Sequence, residues 1–193
     1  MVLGRLMYAL GIKPKGWISW AAVGVVGVAW LLFLPNTCYL LTEWRHYLYT
    51  LGKTDLYLRS QQNSAATLLL MVYTAFYFIY SAVGMLAFAL AIRPVERLAR
   101  HLGMISWVWG LPLFGMTSIG VYLGLVLRFN TWDFLTMPDS IWDATTQIAH
   151  RPMLAGFVLL FALFLWFAYV AIDIWVDGFK ARIKEIGQQR DAG

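Results

Sequence analysis

Charge is scarce in this sequence: Asp, Glu, Lys and Arg make up 13% of its 193 residues. A soluble domain carries about 25%. With 61% of the residues hydrophobic, there is too little polar surface to keep a globular core in water. Cysteine is nearly missing as well, and the single Cys38 excludes an internal disulfide and any multi-cysteine metal cage. No basic run of five or more occurs, so the net charge of +5 reads as membrane-flanking charge and nucleic acid is not an expected partner. There is no Walker loop, Rossmann glycine fingerprint, HExxH or GxSxG elbow. Those absences remove common signatures and leave open whether the chain is an enzyme. A cleaved signal peptide is not expected, because the first apolar run is too long for an h-region and no small-x-small site follows it.

What the sequence does have is long apolar runs, at 17–42, 65–92, 102–127 and 153–176. At 1.5 Å rise per residue, each is long enough to cross a hydrocarbon core of about 30 Å as a helix. Backbone groups in lipid must be satisfied inside helices or a closed barrel, and no alternating strand pattern competes. The expected fold class is an all-α membrane protein: a bundle of four transmembrane helices forming one domain over 17–176. Ten tryptophans and ten tyrosines suit the headgroup zone. Residues 1–16 are short and basic, with Leu3, Leu6, Met7 and Leu10 at helical spacing, which predicts a brief helix on the membrane surface. Residues 177–193 form a basic tail.

Counting Lys and Arg orients the bundle. The N-terminal segment, the 93–101 connection and the tail share one side and hold ten, against five on the other side. The positive-inside rule then places both termini of this multi-pass chain in the cytoplasm. The ends of spans one and three and the start of span four consequently meet at the outer face.

Polar side chains gather there. Asn36, Tyr39, Glu43 and His46 fall at offsets of 0, 3, 7 and 10, one stripe of a helix that begins where the apolar run meets Pro35. On span three Gly120, Gly124 and Arg128 share a face. The glycines form a small-xxx-small pattern that admits a close helix neighbour, a helix-packing role. Arg128 is followed by Asn130, Trp132 and Asp133. Three readings stay open. One is a structural network, with Arg128 paired to Glu43 or Asp133. Another is a binding or catalytic pocket open to the outer side. The last is a metal site drawing on Glu43, His46, Asp133 and His150, since a carboxylate and an imidazole at i, i+3 can point inward together. No cofactor is indicated. Beyond Asp133, Pro138 starts a short interfacial helix with an apolar stripe of Ile141, Trp142, Thr145, Ile148 and Ala149, placed to roof the cluster. Tyr73, Tyr77, Tyr80 and Gly84 make an aromatic stripe on span two. Asp173, near the inner end of span four, is expected to pair with a neighbouring base or snorkel.

Two stretches resemble a family of bacterial membrane proteins, domain of unknown function 1361. They are Phe33-Leu-Pro-Asn-Thr-Cys-Tyr-Leu-Leu-Thr-Glu-Trp-Arg-His46 and Gly120-Val-Tyr-Leu-Gly-Leu-Val-Leu-Arg-Phe-Asn-Thr-Trp-Asp133. Positions matching the family pattern are Pro35, Asn36, Tyr39, Thr42, His46, Gly120, Tyr122, Gly124, Arg128, Asn130, Trp132 and Asp133. Glu43 stands where the family has aspartate, Leu125 where arginine is common, and Thr131 where serine is usual. The resemblance leads to the expectation of a multi-pass protein of a bacterial inner membrane, without the N-terminal span that many members have. The resemblance implies the four spans and paired motifs, and it brings no activity with it. The expected function is a structural or accessory subunit of a larger membrane complex, with membrane lipids and other integral membrane subunits as partners. The alternative is a membrane enzyme or a small-molecule or lipid binder using the outer Glu, His, Arg and Asp residues.

Overall fold

The computed structural model describes residues 1–14 and 16–191, and leaves out the side chains at 39, 41, 42, 106, 107, 190 and 191. The described residues contain helices and no strand. They are α1 (Val2–Gly11), α2 (Trp17–Thr42), α3 (Trp44–Thr54), α4 (Leu56–Ser60), α5 (Ser64–His101), α6 (Ser106–Leu125), α7 (Asp133–Thr136), α8 (Pro138–His150) and α9 (Pro152–Asp191). Four are long and apolar enough to cross a membrane, within Trp17–Cys38, Ser64–His101, Val108–Leu125 and Pro152–Gln189. The protein is therefore an all-α, multi-pass membrane protein.

The four spans form a ring: α2 touches α5 and α6, α9 touches the same two, and α5 and α6 also touch one another. The core at its centre joins Trp30, Leu34 and Cys38 of α2 to Phe88 and Ile92 of α5, Phe114 and Val121 of α6, and Leu165 and Tyr169 of α9. α5 and α6 are the better-buried spans, whereas only 17% of the α2 span and 11% of the α9 span are covered by protein. One end of the ring carries the α5–α6 turn, stabilised by Gly103 at φ 73°, and is called here the turn face. The other end carries α3, α4, α7 and α8.

Glycine sets how closely α2 approaches its neighbours. A Cβ on Gly84 would come within 2.5 Å of Leu40 Cβ and 3.2 Å of the Thr37 carbonyl, and one on Gly120 within 2.6 Å of Pro35 Cγ. Without those hydrogens-only positions the helices would stand apart, because in lipid it is packing rather than hydrophobic transfer that holds spans together. The Pro35–Gly120 contact joins the two sequence stretches singled out above.

Three segments differ from the sequence expectation. α1 does not lie free on a surface. It packs in the seam between α2 and α5, with Gly4 against the Ala91 carbonyl and Trp30, Gly27 of α2 against Met7, and Gly11 against Leu98. Trp30 lies midway along span one, and its Nε1 donates to that same Ala91 carbonyl at 3.1 Å. α1 therefore enters the bundle rather than capping it. Residues 93–101, read as a connection, continue α5 through Pro94 to His101. Proline is tolerated in a membrane helix because neighbouring groups re-satisfy the backbone it frees, and α1 packs beside this segment. Likewise α9 remains helical past residue 176 to Asp191.

Candidate functional site

At the end opposite the turn face, the corner between α2 and α3 is tied down by aromatic residues. Trp44 Nε1 donates to Ser81 Oγ at 2.8 Å, and Ser81 Oγ donates to the Leu40 carbonyl at 3.3 Å. Tyr47 and Thr74 share a hydroxyl–hydroxyl bond of 2.7 Å. The rings of Trp44, Tyr47 and Tyr77 pack with centroids 5.3 to 6.4 Å apart. Of the aromatic stripe on α5, Tyr77 joins this cluster, while Tyr80 stacks on Phe76.

The polar residues predicted at this end are separated into local features. Glu43 Oε2 and His46 Nε2 are 3.7 Å apart at the helix corner, with side chains 39% and 60% exposed. Asn36 is half-buried in α2. The side chains of Tyr39 and Thr42 lie outside the described residues. Tyr122 is buried beneath α8 with Leu123, Ile141 and Ile148. Gly124 is half-buried one turn beyond Gly120. Arg128 is exposed and sits in the left-handed region at φ 61°, where Phe129 N–H donates back to the Leu123 carbonyl at 3.0 Å and ends α6. Of the three open readings, the one that pairs Arg128 with Glu43 or Asp133 finds no ion pair here: among the described residues Arg128 pairs with neither, and its side chain is exposed where the chain reverses. Asp133 is used locally, its Oδ2 accepting from the Asn130 N–H at 2.6 Å to close the turn into α7. Trp132 and His150 are exposed. Glu43, His46, Asp133 and His150 do not assemble, and no three metal-ligating side chains are grouped among the described residues. α8 forms from Pro138 as expected, but its buried Ile141 and Ile148 roof Tyr122 and Leu123, away from Glu43 and His46.

A different set of residues forms a connected polar site near the turn face. Arg93 on α5 is buried, 7% exposed, and reaches across to α9. Its Nε lies 3.0 Å from Asp173 Oδ1 and its Nη2 hydrogen-bonds Asp177. One turn on, Glu96 Oε2 accepts from the Tyr169 hydroxyl at 2.5 Å and lies 3.5 Å from Arg100 Nη2. A buried guanidinium is tolerated at membrane depth only in such company. Arg93 Nη1 is nevertheless buried without a hydrogen-bond partner, and the contact of Nε with Asp173 Oδ1 is an ion pair without hydrogen-bond alignment. Asp173 thus finds the neighbouring base expected for it. Arg93, Glu96, Tyr169 and Asp177 were not singled out from the sequence. The available signal was Tyr169, Asp173 and Asp177 at i, i+4, i+8, one face of α9, matched by Arg93, Glu96 and Arg100 on one face of α5.

This polar site closes one end of a cavity of about 740 Å³ between α6 and α9. Its walls are apolar, including Phe114, Ile119, Val158, Leu159, Leu163 and Trp166, and Thr145, Ile148 and Ala149 of α8 border the far end. Leu111, Leu159, Leu163 and Val170 are exposed, so the groove opens sideways, towards lipid. Along α9 it extends from Ala155 to Ile174, about 28 Å at 1.5 Å per residue and close to a hydrocarbon core of about 30 Å. Small residues create it: a Cβ on Gly115 would meet nothing within 4 Å. The groove persists because α6 and α9 are held at both ends, by Ser118 Oγ donating to the Val158 carbonyl at 2.8 Å and by the Phe114–Tyr169 ring contact, 5.8 Å between centroids.

Comparison with curated proteins and with solved structures gives no match. The model of the family described as Protein of unknown function (DUF1361) does match, over residues 5–168, and the chain belongs to that family.

Proposed function

We propose that this protein binds an amphipathic membrane molecule in the groove between α6 and α9, with an apolar tail along the helices and a polar head at Glu96, Tyr169 and Asp173. The observation that carries this reading is a lateral cavity as long as the hydrocarbon core is thick, apolar along its walls and polar at one end. Its volume falls in the range of about 300–1,000 Å³ typical of ligand sites. This is the lipid-binding alternative of the sequence reading, moved from the outer polar residues to the opposite end of the bundle. The test is lipid analysis of protein purified through extensive detergent exchange. Wild type should retain about one amphiphile per chain and Gly115→Phe, which fills open space, should lose it at an unchanged melting temperature. Equal retention by both, or none by wild type, refutes the reading.

A role as an accessory subunit of a membrane assembly is favoured by one separate observation. α9 has 11% of its span covered and continues to Asp191 with Trp175, Phe179, Ile183 and Ile186 all more than half exposed. A photo-crosslinker at Phe179 or Ile183 should then capture one discrete membrane protein, and adducts with lipid alone would refute it. The Lys and Arg distribution supports a cytoplasmic turn face in the inner membrane. A reporter fused to the C-terminus is expected to be active only if it functions in the cytoplasm.

A further inference from the structure

The structure assigns a head chemistry to this groove, and we propose that its occupant is a phospholipid of the turn-face leaflet with a primary-ammonium head, of the ethanolamine type. The inference rests on the groove being an amphiphile site. The charged side chains that border the groove, Glu96 and Asp173, are both carboxylates. Their basic partners stand elsewhere. Arg93 lies behind Asp173 and is shared with Asp177, and Arg100 is on the rim, its side chain 59% exposed. Arg97 and Lys180 stand near Asp177, away from the groove lining, so the cations gather behind the two carboxylates and the face turned to the groove is acidic.

A carboxylate facing an apolar groove at the edge of the hydrocarbon is costly on that side unless a cation or hydrogen-bond donors meet it. A primary ammonium carries three N–H donors and a positive charge. Glu96 and Asp173 keep 13% and 25% of their side chains exposed, so both remain reachable. A quaternary choline head has the charge without the donors, and a phosphoglycerol head brings a net negative charge against two carboxylates. The phosphate of an ethanolamine lipid would lie outward of the ammonium, on the side of Arg100. One acyl chain occupies the apolar walls, and the other stays in the surrounding bilayer through the open flank.

The experiment is native mass spectrometry of the full-length protein in detergent, titrated in parallel with phosphatidylethanolamine, phosphatidylcholine and phosphatidylglycerol of identical acyl chains. The first phosphatidylethanolamine should bind roughly tenfold or more tightly than either of the others, the scale of a charge-assisted hydrogen bond. Glu96→Gln, which can still accept from Tyr169, should bring the three lipids closer together. Gly115→Phe and Leu159→Trp should weaken the first binding event for all heads. Groove-dependent binding with no head preference, or with a preference for phosphatidylglycerol, overturns the head assignment and leaves the groove reading standing. Binding unaffected by both groove-filling variants overturns the groove reading and this inference with it. The wild-type head series decides the assignment even where a variant fails to accumulate.

Discussion

Adding a single methyl group should be harmful at Gly84 and Gly120, where α2 meets its neighbours most closely, and harmless at Gly115. At Gly84 a Cβ would sit 2.5 Å from Leu40 Cβ and 3.2 Å from the Thr37 carbonyl. Both belong to the body of α2, so no flexible side-chain tip can swing away, and α2 and α5 must separate. Carbon atoms attract best at about 3.5–4.0 Å, so the displacement is about 1 Å, enough to lose a quarter to a half of the dispersion well for the surrounding contacts. Overpacking of this kind costs about 1–3 kcal/mol. Gly120→Ala meets the Pro35 ring at 2.6 Å and falls in the same class. Gly115→Ala meets no atom, and replacing a helical glycine by alanine is worth up to about 1 kcal/mol in its favour. For a chain of this size 1 kcal/mol corresponds to about 2–4 °C. In detergent, melting followed by size-exclusion chromatography should show Gly84→Ala and Gly120→Ala lower by about 2–12 °C, and Gly115→Ala unchanged or slightly higher. Equal effects at all three positions would show that the close approach of α2 does not hold the bundle together.

Asp173→Ala leaves Arg93 with only the exposed Asp177, and removal of one partner of a buried pair costs about 3–5 kcal/mol. The double variant Arg93→Met, Asp173→Ala should recover much of that loss in the same melting assay, and additive losses would refute the pairing. Arg128→Gly relieves a left-handed backbone at φ 61°, so stability should rise by about 0.5–1 kcal/mol; a fall would mean that the guanidinium has a partner in the membrane. Trp44→Phe removes the 2.8 Å bond to Ser81 and should cost about 1 kcal/mol, with protease cleavage between α2 and α3 as the readout.

Hydropathy made the membrane class, the four spans and α8 legible, because burial in hydrocarbon is decided by composition summed along one helix. The small-residue face of span three was legible for the same reason: spacing along a helix fixes which residues share a face, and Gly120 does receive Pro35. The polar residues at Glu43 to His46 and Arg128 to Asp133 were visible as motifs, but which of their side chains would pair was not. Placing two helix ends at one depth does not decide their rotation, and Arg128, left-handed and exposed just past α6, makes no ion pair with Glu43 or Asp133 among the described residues.

The sequence alone determined how many times the chain crosses the bilayer and where its polar side chains lie along each helix, since both follow from local periodicity and the cost of burying charge. Tertiary structure decided which side chains meet. It put α1 into the seam of α2 and α5. It set Arg93 against Asp173 and Asp177 across 80 or more positions of sequence. It also left a groove between α6 and α9. Lateral partners depend on the rotation and spacing of whole helices, which no single helix encodes, and an empty volume is a property of two surfaces that fail to touch.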